Sequence, residues 1–455
     1  MDPALILLTV IVGLILVGGF VLAQKIGSGS KTAEGVADHK SDPSANKTNR
    51  THPGQEANCI GQQNTHVGGG KKKAMLNSKR SGPAKDTFQH PWLVSTLKGH
   101  SGRVLDLDLS ENGKWLASCD SDRSVILWTV KEFRDKEHKT IRCNVNYDHA
   151  TKVKWSPDSK AFIVQKATEN RAEVYKLGKK EDGSVGNIQP CVTFPAQHET
   201  DVIGLGFSPT GKFVMTCSDK TSLLIWSIHG DVLASLDTYH MTTYCAKVSP
   251  CGKFVASSGF TPDVKVWEVK FKRTGEFEKV ARAFELTGHT SGVFSFDFSA
   301  DSSRMATVSK DGTWKIFKTN VEFERGQDPS QVASGKFPQA DERTLIALSA
   351  NGQVVAIARQ TSVHFFSAVT TEDMGQIHNL HTSPITSILF DREDRWFLTA
   401  GDKHIRVFKN IPGLTLQKRE LEKKVASAST SGLKDRLMSQ IQDIDIQLTS
   451  NVGKK

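Results

Sequence analysis

Apolar residues follow different patterns along the chain. From Pro3 to Ala23 no side chain is charged, and the next basic residue is Lys25. Residues 25–90 are rich in Gly, Ser, Lys, Asn and Thr and nearly free of large apolar side chains. Such a stretch cannot bury enough surface to fold and is expected to be a disordered linker. From about Trp92, short apolar runs of strand length alternate with polar turns. Seven turns share a composition: "SENGKWLAS" at 110, "SPDSKAFIV" at 156, "SPTGKFVMT" at 208, "SPCGKFVAS" at 249, "SADSSRMAT" at 299, "SANGQVVAI" at 349 and "DREDRWFLT" at 391. Their starts are 46, 52, 41, 50, 50 and 42 residues apart. Each turn joins two strand-like runs, as in a hairpin. A third run follows and ends in an aromatic: Trp128, Tyr175, Trp226, Trp267, Phe317, Phe366 and Phe408. Beyond Pro412 the period changes. Leu433, Leu437, Ile441, Ile444 and Leu448 recur at helical spacing on one face, with Ser431 as N-cap. "QKRELEKKV" at 417–425 reads as a second, more polar helical stretch.

A repeat of this length predicts units that bury their faces against one another. The motifs resemble the WD40 family. "KGH" (Gly99, His100) and "TGH" (Gly288, His289) match its Gly-His signature, and His198, His240 and His381 stand in degenerate versions. His100 to Trp128, His198 to Trp226 and His289 to Phe317 each span 28 residues. The resemblance covers roughly residues 92–410 and implies an all-β fold, a seven-bladed WD40 β-propeller. The expected organisation is a transmembrane signal-anchor (1–24), a flexible basic linker (25–90), the propeller (91–410) and a short C-terminal helical tail (411–455). Family repeats begin with the outer strand of the preceding blade, so "WLVSTL" at 92–97 is expected to complete blade 7 and close the ring.

The resemblance also implies a hydrogen-bonded set of His, strand Ser/Thr, turn Asp and Trp within a blade. Blade 1 carries His100, Ser118, Asp122 and Trp128. Blade 3 carries His198, Thr216, Asp219 and Trp226, its Asp one residue further from the Trp. Blade 5 carries His289, Thr307 and Asp311, but Phe317 has no indole N–H to donate. These trios are not read as hydrolytic sites: they recur in several blades, as scaffolding requires, and no GxSxG elbow accompanies them. No repeat has Asp after its closing aromatic. Family members that act as ubiquitin-ligase substrate receptors often carry Trp-Asp-x-Arg there, so that role is disfavoured.

The net charge of +10 is uneven: residues 1–90 hold eleven Lys/Arg and six Asp/Glu, about half of the excess. Within the repeats, the turns between second and third strands open on the top face in this family. Six of the seven carry a cation: Arg123, Lys166, Lys220, Lys310, Arg359 and Lys403. A ring of cations suits an acidic or phosphorylated partner, or RNA. "LGKKEDG" (177–183) and "KFKRTGEFEKVAR" (270–282) read as solvated hairpins on outer or lower loops. No RNA-binding motif is visible, so RNA or ribosome contact rests on charge alone. No metal cluster, nucleotide loop or catalytic constellation stands out; no cofactor and no small-molecule substrate are expected, and the chain is read as a non-enzymatic scaffold.

The run Pro3–Ala23 exceeds the apolar region of a secretory signal and suffices to span a bilayer. "VLA" at 21–23 keeps a cleaved signal as the alternative. Lys25, Lys31 and Lys40 follow the run, which by the positive-inside rule puts the propeller in the cytosol. Seven cysteines without a paired pattern agree with a reducing compartment. The sequons at Asn46 and Asn49 point the other way. The expected location is the endoplasmic reticulum membrane, single-pass, with protein partners on the cytosolic side.

Overall fold

The computed structural model describes residues 88–181, 184–338 and 342–449. The expected anchor and all of the linker up to residue 87 lie outside the described residues. Among the described residues no helix is long and apolar enough to cross a membrane.

The strand runs are apolar on both sides because both faces are covered. In blade 1, strand Trp115–Asp120 turns Leu116 toward blade 7, while Ala117 and Cys119 face blade 2. Strand Ser124–Thr129 likewise divides Ile126 and Trp128 from Val125 and Leu127. This is the two-residue period of a strand with no solvent side. The same division runs around the molecule. Seven apolar clusters each join the facing sides of two adjacent blades. Trp128, Trp226 and Trp314 are at most 2% exposed. At about 25 cal/mol per Å², each buries roughly 4–6 kcal/mol of apolar surface as an upper bound.

The described strands form seven four-stranded antiparallel sheets. Six are sequential meanders. The seventh combines Ser387–Phe390, Trp396–Ala400 and His404–Lys409 with Leu93–Lys98 from the other end of the repeat region. Leu93 lies opposite Phe408 and Lys98 opposite His404, and the Lys409 N–H donates to the Trp92 carbonyl at 2.8 Å. The predicted ring closure is therefore present.

Each of the seven recurrent turns places its fourth residue at positive φ: Gly113, Ser159, Gly211, Gly252, Ser302, Gly352 and Asp394. Glycine takes this conformation freely, whereas Ser and Asp are strained in it. Where glycine is missing, the side chain binds the turn of the preceding blade. Ser159 Oγ accepts from Asn112 N–H at 3.2 Å and Ser302 Oγ from Cys251 N–H at 2.9 Å. Asp394 accepts from Ala350 N–H at 2.7 Å and Asn351 N–H at 2.9 Å.

The C-terminal region holds two helices, one at the predicted apolar stripe and one, longer than expected, at the more polar stretch before it. Helix α1 (Ile411–Ser427) starts at Asn410, whose side chain accepts from the Gly413 N–H at 3.0 Å. Helix α2 spans Ser431–Thr449. Leu437, Ile441, Ile444 and Leu448 of the predicted stripe pack against Leu414, Leu421 and Val425 of α1, whereas Leu433 is exposed. The partner of the apolar stripe is thus a second helix. Helix α1 rests on the propeller through Leu416 and through Arg419, which pairs with Glu372 at 2.6 Å.

Candidate partner-binding face

Because each blade is a meander, its first and third turns lie at one end of the sheet. Its second turn and the links to neighbouring blades lie at the other. The second end is the upper face, and its rigidity comes from the networks beneath it. In blade 1, His100 Nε2 lies 2.6 Å from Ser118 Oγ, which also accepts the Trp128 Nε1–H at 2.8 Å. The carboxylate nearest His100 Nδ1 is that of Asp120 at 3.1 Å, not the expected Asp122, and it lies outside hydrogen-bond geometry for that nitrogen. Asp122 instead accepts from the Ser101 N–H at 3.0 Å and from the Ser101 and Ser124 hydroxyls at 2.6 and 2.5 Å, and pairs with Arg142. Burial alone would raise its pKa, but the Asp120, Ser101 and Ser124 bonds hold it well below the usual carboxylate range. His100, Asp120 and Asp122 are close enough to hold a cation. Their oxygens are already engaged by these donors, so the cluster reads as a structural brace.

Blade 3 keeps only part of the set. His198 Nε2 and the Trp226 Nε1–H each lie 2.7 Å from Thr216 Oγ1. His198 Nδ1 and Asp219 Oδ1 are both buried without a partner, so this Asp does not complete the network. With no carboxylate to favour its cation, burial pushes the His198 imidazole down to about 4. In blade 5, His289 bridges Thr307 at 2.8 Å and Asp311 at 2.9 Å. Burial lowers its pKa against the opposing pull of Asp311. Phe317 offers no donor, and the buried Trp314 Nε1–H finds no acceptor to replace it.

Two networks were missed in the sequence. In blade 7, His381 bridges Thr399 at 2.9 Å and Asp402 at 3.1 Å, with Arg406 2.7 Å from His381 Nδ1. In blade 4, His240 Nε2 lies 3.0 Å from Ser257 Oγ, and its Nδ1 meets Thr261. The signal for blade 7 was the spacing of 18 residues from His to Ser/Thr, shared with blades 1, 3 and 5.

The expected ring of cations is uneven. Arg123, Lys220, Lys310 and Lys403 are exposed in upper turns, and Arg359 is half-buried. Lys166 is 5% exposed and paired with Glu169 at 2.8 Å and Glu173 at 3.8 Å, so it does not present a charge. The linking loops add what the ring lacks. Tyr239, Met241 and Phe260 are 68, 70 and 58% exposed, and the first two are held at positive φ. The Phe260 N–H donates to the Thr242 carbonyl at 2.9 Å, and the Thr243 hydroxyl donates to the Lys220 carbonyl. The Lys310 N–H donates to the Gly292 carbonyl at 2.9 Å, and a side chain at position 292 would strike the Gly259 and Phe260 carbonyls. Lys220, Met241, Phe260 and Lys310 therefore belong to one continuous stretch over blades 3 to 5. The signal for it was aromatic and Met residues inside otherwise polar loops.

Inner strands line a central channel of about 410 Å³. Lys154 there pairs with Asp106 at 3.2 Å and Asp108 at 3.5 Å, and Lys247 with Asp297 at 2.8 Å. These pairs tie neighbouring blades together across the channel wall.

Closed propeller, family turns and His–Ser/Thr–Trp bracing together define the class, and the chain belongs to the WD40-repeat family. The family profile (WD domain, G-beta repeat) matches residues 91–129, 189–227, 281–318 and 375–409. These segments hold blades 1, 3, 5 and 7, the four with the 18-residue spacing. The chain is 42% identical over 385 residues to transducin beta-like protein 2 of Homo sapiens, covering 84% of this chain and 86% of that protein. Against transducin beta-like protein 2 of Mus musculus the identity is 41% over 384 residues, covering 84 and 87%. A guanine nucleotide-binding protein subunit beta of Zea mays is 22% identical over 349 residues, covering 73 and 87%.

Proposed function

We propose that this chain is a non-enzymatic binding platform, held at the cytosolic face of the endoplasmic reticulum by residues 3–23. Its upper face takes an acidic or phosphorylated segment of a partner protein. The observation that carries the reading is the continuous surface of Lys220, Tyr239, Met241, Phe260 and Lys310. There cations flank exposed apolar side chains, two of which, Tyr239 and Met241, stand on left-handed backbone. Interfaces of this kind rely on buried aromatic anchors, with charge setting specificity. The Ser/His/Asp groups support a scaffold rather than an enzyme, because Ser118 and Thr307 are fully buried beneath that face. The uncharged run 3–23 and the lysines after it support the tether and its orientation.

The test is an array of acidic and phosphorylated peptides probed with the full chain in detergent, alongside proximity labelling in cells. Replacing Arg123, Lys220, Lys310 and Lys403 with Ala is expected to abolish peptide capture and remove neighbours from the labelled set. An unchanged set overturns the reading. Exposed aromatics beside lysines also favour RNA stacking as a second reading. RNA binding that weakens steeply with salt and is lost in Phe260→Ala supports it; insensitivity to salt removes it. A mobility shift on deglycosylation of Asn46 or Asn49 overturns the cytosolic orientation.

A further inference from the structure

The lower face carries a basic groove of about 1570 Å³ between blades 1 and 2, reaching to blade 7. Its walls are the first and third turns of those blades, at the end opposite Lys220 and Phe260. Lys114, Lys131, Arg134, Lys139, Lys176 and Lys179 line it, all exposed, and none of these six is in an ion pair. Lys160 and Arg395 also line it, paired with Asp158 and with Asp391 and Glu393. Glu132 and Asp158 are the acidic residues of the lining. Such an excess of unpaired cations costs stability through mutual repulsion, and a bound polyanion would relieve it. Lys176 and Lys179 stand on the strand that leads into the hairpin read from the sequence as a solvated outer or lower loop. Trp115 lies half-buried in the groove, and the Arg134 guanidinium sits 5.2 Å over the Trp396 ring.

The position of the groove points to its occupant. Strand Leu93–Lys98 runs antiparallel to His404–Lys409, with Leu93 opposite Phe408, so the chain enters the propeller at the lower end of blade 7. The apolar run 3–23 therefore connects, through the linker, to the face that carries the groove. We propose that this groove docks the lower face of the propeller onto an anionic phospholipid surface, leaving the upper face to a protein partner. The tethering part of the inference rests on the membrane reading above; the charge of the groove does not. A partly buried Trp115 beside Lys and Arg is a composition suited to the headgroup layer.

The full chain is placed in nanodiscs of phosphatidylcholine alone or with phosphatidylserine, and lysine acetylation is followed by mass spectrometry. Slower acetylation of Lys114, Lys131, Lys139, Lys176 and Lys179 only in the anionic discs is expected, with Lys220 and Lys403 unchanged. Unchanged groove lysines in discs that hold the chain overturn the inference and leave the tether standing. Protection by added poly(U) RNA in neutral discs, with none from phosphatidylserine, overturns it in favour of RNA. If the chain does not stay in discs, the tether fails and phosphatidylserine vesicles are used instead. At roughly fivefold per charge, Lys131→Ala/Lys176→Ala/Lys179→Ala then lowers partitioning about a hundredfold. No partitioning of the wild-type chain, or equal partitioning of the variant, removes the groove as a lipid site. Circular dichroism of the variant checks its fold, and Lys220→Ala/Lys310→Ala/Lys403→Ala, with the same charge removed from the other face, is expected to partition like wild type.

Discussion

Replacing Thr216 with Val keeps the shape of the side chain and removes only its hydroxyl. In the fold that oxygen, on a residue 2% exposed, accepts the Trp226 Nε1–H at 2.7 Å and pairs with His198 Nε2 at 2.7 Å. Both groups lose a buried partner. At about 1–3 kcal/mol for each orphaned polar group, the change costs about 2–6 kcal/mol. The same change at Thr307 orphans one group, His289 Nε2 at 2.8 Å, because Phe317 makes no bond to it. Its cost is about 1–3 kcal/mol. The difference, about 1–3 kcal/mol, is roughly a 5- to 150-fold difference in the folding equilibrium. Urea unfolding of the two full-length variants, followed by far-ultraviolet circular dichroism, measures it, provided the slopes with denaturant agree. Equal losses, or a larger loss at Thr307, refute the claim that Trp bracing separates the two blades. A further check is internal. Trp226→Phe should cost less in the Thr216→Val background than in the wild type, because the indole N–H has already lost its acceptor.

Acid should unfold the propeller through its uncharged histidines. His198 and His240 are pushed down to about 4 by burial, His240 also by Lys265, while the unfolded imidazoles titrate near their ordinary 6.5. The unfolded state binds more protons in between, so stability is complete above about pH 6.5 and is lost toward pH 4, by up to about 3 kcal/mol per histidine. His240→Gln should flatten the slope of stability across that window; an unchanged slope refutes the assignment. Asp394→Gly relieves a left-handed backbone worth about 1 kcal/mol but forfeits two hydrogen bonds to blade 6, for a net loss of about 2 kcal/mol in a urea melt. Ser302→Gly, with one such bond, should be close to neutral, and the reverse order would overturn the bridging role of these turns. Leu97→Asp places a charge in the buried seam of the closing strand and should make the segment around residues 88–98 sensitive to limited proteolysis while the outer strands of other blades stay protected.

The order of strands was legible because it depends on local signals. The recurrent turns, the closing aromatics and the strand at 92–97 all sit where the pattern predicts them, since a strand buried on both faces leaves little freedom in its pattern. The detailed chemistry was less legible because it depends on contacts between distant segments. Asp120 and Asp122 flank the same strand end, and sequence spacing favoured Asp122. Only the assembled turn shows Asp120 against His100, with Asp122 taken by Ser101 and Ser124. Lys166 looked like its counterparts, but the connection after it in blade 2 folds Glu169 and Glu173 back over its ammonium. The groove on the lower face gathers turns of blades 7, 1 and 2, which are far apart in sequence at the ring closure.

The distribution of bracing adds a physical reason for the closure to hold. Blades 2 and 6 have Val164 and Ile357 where the braced blades have Ser or Thr, and they rely on packing such as the Phe162–Tyr175 stack at 5.4 Å. Blades 7 and 1, which meet where the ring is sealed by four strands from two ends of the repeat region, are both braced. Each pairs its histidine with a carboxylate, Asp402 in one and Asp120 in the other. Thr386 and Arg103 then cross the seam directly, the Thr386 hydroxyl donating to the Val104 carbonyl at 2.7 Å and Arg103 to the Pro384 carbonyl at 2.7 Å. Here a histidine–hydroxyl–carboxylate brace stands on each side of the seam, as it also does in blade 5, whereas blades 2 and 6 lack the buried hydroxyl such a brace requires.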